Sequence, residues 1–135
     1  DGIEAFVARW ERHPLWSSQA GLPEQVRARQ RAIRLRQRPR GLANSLLGFG
    51  QGAQPPLWEA LPSLPMPVLA AAGALDRTYA DLAVEIAGRV PRGRAAIVEA
   101  AGHAPHLERP SRYVGMVAAL LSGGAALLKP TRGGA

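Results

Sequence analysis

Apolar residues recur at helical spacing through residues 1–62, then give way to short apolar runs separated by amphipathic segments. Ile3, Phe6, Val7 and Trp10 form one stripe and predict a helix over about 2–12. His13–Pro14 closes it, because the residue before a proline avoids helical dihedrals. A second helix is predicted from Pro23, a favoured first-turn residue, to about Gln37. Leu22, Val26 and Ile33 share one of its faces and arginines fill the rest. The segment RPRG at 38–41 breaks it, and a third helix follows over about 41–49, ending at Gly48 and Gly50. Prolines punctuate 53–68 around a short helix at 57–61. The apolar run MPVLAAAG at 66–73 then reads as a strand covered on both faces. Residues 77–91 carry Leu82, Ile86 and Val90 at steps of four and predict a helix packed on a sheet. RAAIVEAAG at 94–102 is a second strand, and 111–122 a closing helix with Ser111 as its N-cap.

This order predicts an α/β fold: a helical lid over 1–62, a β-α-β-α portion over 63–122, and a lightly packed Gly-rich tail over 123–135. Two strands alone do not make a stable parallel sheet. The chain is therefore expected to be a piece of a larger fold, open to self-association or to pairing with a missing amino-terminal half. Its first residues, DGIEAFVARW, read like the inside of a helix and lack the basic and apolar regions of a signal peptide.

Composition narrows the picture. The 135 residues are 47% hydrophobic and suit one compact domain. The chain has no cysteine, which excludes disulfides and thiolate metal sites. No apolar run is long enough for a transmembrane helix, so neither a membrane partner nor an oxidising compartment is expected, and the cytoplasm is. The net charge is +7, and every basic residue except Lys129 is arginine. Arginine beside so much Ala, Gly and Pro fits GC-rich coding, so nucleic acid is not an expected partner. The arginines do cluster between Arg27 and Arg40, and a small module binding an anionic partner through that helix is the alternative from another class.

Candidate chemistry lies just beyond the two strands, where parallel α/β sheets collect functional groups. Asp76 follows the first strand and His103 the second, separated by one crossover helix, so their loops should lie side by side. An aspartate can fix the tautomer of a histidine and leave its other ring nitrogen as a base. Asp76 taken alone would be a helix cap. His103 and His106, with Glu108 or Asp76, could instead form a metal site, but the segment reads as a loop, and no metal or cofactor is expected. His106 reads as a structural neighbour, His13 as a helix-end residue, and Tyr79 as near the site without a role.

PVLAAAGALD at 67–76, then AAGHAPHLERP at 100–110 and an amphipathic helix, resembles the carboxyl-terminal part of the α/β-hydrolase fold. That resemblance implies a nucleophile–acid–histidine order, with Asp76 as the acid and His103 as the base. The nucleophile elbow G-x-S-x-G is absent, so the serine would lie outside this chain, which should be inactive alone. Three features of the lid resemble the 2-succinyl-6-hydroxy-2,4-cyclohexadiene-1-carboxylate synthases of menaquinone biosynthesis. These are F-x-x-x-W-x-x-x-P-x-W over Phe6–Trp16, Leu35–Arg36 with Gly41 five residues on, and GAQPPLW at 52–58. The resemblance implies a lyase that eliminates pyruvate from a polycarboxylate substrate, without a metal, with Trp10 and Arg36 as substrate contacts. Guanidinium groups suit carboxylates because they pair in bidentate fashion. An esterase or thioesterase of the same fold would carry the same Asp and His.

Overall fold

The computed structural model describes residues 2–123, so all but the first residue of the expected tail lies outside the described residues. The chain forms two compact units that meet between Leu57 and Trp58.

The first unit is helical. Helix α1 spans Ile3–Trp10 and buries Val7 completely. A 3₁₀ segment over Pro14–Gly21 follows, which the apolar pattern did not predict. Pro14 supplies its first-turn φ, and His13 caps it by accepting the Leu15 amide on Nδ1 at 3.2 Å. Helix α2 spans Glu24–Leu35 and α3 spans Pro39–Phe49. α3 starts earlier than the expected 41 because Pro39 sits in its first turn, where a proline begins a helix rather than breaking one. No residue of α2 is buried. Its tie to α1 is electrostatic: Glu11 accepts from Arg31 and, at 3.2 Å, from Arg34. Phe6 stacks on Trp10 at 6.0 Å between ring centroids, and Trp10 meets Trp16 at 5.3 Å.

The second unit is a β-α-β-α arrangement. It opens with a 3₁₀ segment, Trp58–Ser63, which the sequence pattern grouped with the lid. Strand β1 spans Val68–Gly73, helix α4 Arg77–Arg89, and strand β2 Gly93–Val98. The strands pair in parallel, in register from Val68 opposite Gly93 to Gly73 opposite Val98. α4 packs on both strands and buries Ala83, while Arg89 lies over the Trp58 ring. Coverage of the sheet is uneven: Ala72, Gly73 and Val98 are buried, and Ala71 is exposed. β2 stops four residues before the expected end, because Ala100 turns left-handed (φ 54°) and cannot continue an extended strand. The segment expected as a loop after His103 contains one helical turn, α5 (Pro105–Glu108), and α6 (Pro110–Leu121) follows directly. Pro110 occupies the first turn of α6 and Arg109 its N-cap position, so Ser111 lies inside the helix and is not the cap.

Candidate active site

β1 and β2 end side by side, and backbone bonds tie the two loops that leave them. The Ala74 amide donates to the Val98 carbonyl at 3.0 Å, and the Leu75 amide to the Ala101 carbonyl at 2.9 Å. The approach is close enough to require a glycine. A Cβ on Gly73 would lie 2.2 Å from the Gly102 oxygen and 2.3 Å from that of Ala101. The loop that carries His103 therefore runs directly across the bare Cα of Gly73.

Asp76 leaves β1 at the N-cap of α4. Its Oδ1 faces the Tyr79 amide at 3.5 Å, and its Oδ2 lies 2.6 Å from His103 Nδ1. The helix cap and the histidine partner, which the sequence posed as alternatives, use one oxygen each of the same carboxylate. A carboxylate only accepts, so Nδ1 donates and the basic lone pair falls on Nε2. The Asp76 side chain is 10% exposed and that of His103 25%, which shields the pair while leaving the imidazole reachable. Tyr79, one turn into α4, sets its ring edge-on to the imidazole at 4.7 Å. The sequence had brought it near the site without this contact.

Glu108 is the residue whose place was not foreseen. It is buried, and its carboxylate accepts the amides on either side of His103: Gly102 at 2.7 Å and Ala104 at 3.2 Å. The α5 turn, begun by Pro105, is what brings residue 108 back over residue 104. Hydrogen bonds to a charged group contribute about 1.5–3 kcal/mol each. The capping-box pattern would not have found Glu108: Ala104, the N-cap, has no side chain to reciprocate, and Glu108 stands four residues on rather than three.

His106 is exposed and lies 5.9 Å from the Tyr113 ring. Among the described residues no three His, Asp or Glu side chains gather as a metal-binding group. In the first unit Trp10, the last residue of α1, is 41% exposed, and Arg36 is exposed at the C-cap of α2. That unit also holds a cavity of about 460 Å³ lined by Arg12, Arg27, Arg31 and Arg34 with Glu11 and Trp16; neither Trp10 nor Arg36 lines it.

A helical unit followed by β-α-β-α, with Asp and His meeting where parallel strands end, is a specific arrangement. The profile of the alpha/beta hydrolase family matches residues 2–116. The chain belongs to the α/β hydrolase family. Over 122 residues this α/β hydrolase is 43% identical to a Bacillus subtilis (strain 168) protein provisionally named 2-succinyl-6-hydroxy-2,4-cyclohexadiene-1-carboxylate synthase, a match covering 90% of the chain and 44% of that relative. A solved MenH structure from S. aureus matches it with a TM-score of 0.88 at 33% identity, covering 91% of the chain and 46% of MenH. The chain thus spans less than half the length of either relative. None of the serines of this α/β hydrolase chain stands in a G-x-S-x-G context. Among its described residues, no helix is long and apolar enough to cross a membrane.

Proposed function

We propose that this chain is the acid- and base-bearing part of a menaquinone-pathway lyase that eliminates pyruvate from a polycarboxylate cyclohexene substrate. The observation that carries the reading is the 43% identity to the Bacillus subtilis synthase, which runs through both the lid and the strand–helix portion. The Asp76–His103 contact supports a catalytic dyad. His103 Nε2 would take a proton from a serine outside residues 1–135, and the serine would abstract the substrate proton, with pyruvate leaving and no acyl-enzyme formed. Asp76 would hold the imidazole and stabilise its cation. Trp10 would pack on the substrate, and Arg36 would pair with one of its carboxylates.

The test is pyruvate release from that substrate, by the chain alone and by the chain reconstituted with the portion of a family member that bears the serine elbow. Release is expected from the reconstituted pair only. His103→Ala should lower it by at least about 10³-fold, in the range seen when a triad member is removed. Arg36→Ala should act mainly on KM. Release that is indifferent to His103→Ala would remove His103 from the chemistry. Hydrolysis of p-nitrophenyl acetate without any pyruvate would assign the chain to the esterases instead.

A further inference from the structure

We infer that Glu108 is a positioning residue for His103, acting on the backbone of the loop rather than on the imidazole. This rests on the reading of Asp76 and His103 as acid and base. The loop from Glu99 to Ala104 is bent by the left-handed Ala100 and lies against Gly73, so it has little lateral freedom on the β1 side. Its Ala101 carbonyl accepts the Leu75 amide at 2.9 Å. That bond fixes the loop upstream of the histidine. Glu108 fixes it at the histidine itself, because Gly102 and Ala104 are the residues immediately before and after His103. One carboxylate thus holds the peptide before Gly102 and the peptide after His103, and the backbone that carries the imidazole is pinned on both sides. The Cα–Cβ direction is thereby set, and with it the aim of Nδ1 at Asp76 Oδ2.

The carboxylate is suited to this task in a way few side chains are. It offers two acceptor oxygens at a fixed separation, each taken by a different amide. Its own backbone is anchored as well: the Glu108 amide donates to the Ala104 carbonyl at 3.0 Å, and Arg109 Nη1 donates to the Glu108 carbonyl at 2.9 Å. Glu108 is itself 7% exposed, so water does not compete readily for the two amides. His106 shows the contrast. It lies in the same segment, neither of its neighbours' amides is held by Glu108, and it is exposed.

The proposal is tested by proton NMR on the chain of 135 residues. Two signals are followed together: the downfield Nδ1–H resonance of His103, and the exchange rates of the Gly102 and Ala104 amides. Asp76→Asn should abolish the resonance while both amides stay protected. Glu108→Ala should speed exchange at both amides by roughly tenfold or more and broaden or remove the resonance, with the rest of the spectrum still dispersed. Glu108→Gln keeps the size and one acceptor oxygen. It should therefore protect one amide only and give a resonance intermediate between those of the wild type and Glu108→Ala. If Glu108→Ala fails to fold, Glu108→Gln against wild type carries the test, with one fast amide and a broadened resonance expected. A sharp, unshifted resonance in a Glu108 variant whose amides exchange fast would overturn the positioning role and leave the dyad standing. A wild-type chain without any such resonance would overturn the dyad reading, and this inference with it.

Discussion

Gly73 shapes the site without contributing a functional atom. Its Cβ position is occupied by the carbonyl oxygens of residues 101 and 102, which are backbone atoms and cannot rotate aside. Gly73→Ala must displace the loop that carries His103. The expected cost is about 1–3 kcal/mol in urea unfolding, the range for overpacking a tight contact. Gly115 is the matched control. It lies inside α6, and nothing is found within 4 Å of where its Cβ would be. Gly115→Ala should therefore stabilise the chain by roughly 0.4–1 kcal/mol, because alanine restricts the unfolded chain and suits a helix. Opposite signs for the two substitutions would show that the space at residue 73 is reserved for the loop. A neutral Gly73→Ala would show that the loop yields easily.

Among the elements, α2 depends most on a single side chain. It carries Arg27, Arg29, Arg31 and Arg34 against one internal acid, Glu24, and none of its residues is buried. Arg31 and Arg34 are helical neighbours of like charge, a destabilising spacing. Glu11 from the end of α1 neutralises both. Glu11→Gln should cost about 1 kcal/mol, at the upper end for a surface pair, because Glu11 and Arg34 are half-buried and the loss also releases the Arg–Arg repulsion. The loss should shrink in high salt; a salt-independent effect would point to packing instead. Legibility followed the same division between periodic and local forces. α1, β1 and α4 were readable because an apolar stripe or run declares them, and Asp76 and His103 because chemistry collects where parallel strands end. The 3₁₀ segment at Pro14–Gly21 has no stripe to read and stands on a proline and a cap. The start of α3, the start of α6 and the α5 turn turned on prolines that initiate helices where the pattern suggested breaks or loops. Glu108 stayed hidden for that reason, since only the α5 turn brings it back to the amides around His103.

At the scale of the whole chain, the question is what a two-stranded parallel sheet does with its uncovered surface. Such sheets ordinarily have both faces buried and several strands. Here Ala71 is exposed in the middle of β1, and among the described residues each strand has its partner on one side only. Large apolar side chains are also exposed, with Leu47 at 80% and Phe49 at 76% in the first unit and Val84 and Val114 above one half in the second. Open strand edges invite pairing, and apolar surface invites burial. Both relatives are about twice as long as this chain, which gives such surfaces a natural occupant in further residues of the same fold. Purified alone, the chain is therefore expected to sediment above 14.3 kDa, with an apparent mass that rises with concentration. Charging the patch with Leu47→Glu and Phe49→Glu together should lower that mass if the first unit drives association, and leave it unchanged if the strand edges do. Adding the serine-bearing portion of a family member should replace the self-associated species with a single heterodimer, because a partner that completes the sheet covers edge and face at once. Strict monomer behaviour at every concentration would mean that these surfaces are tolerated in water, and that nothing in the chain's own physics requires a partner.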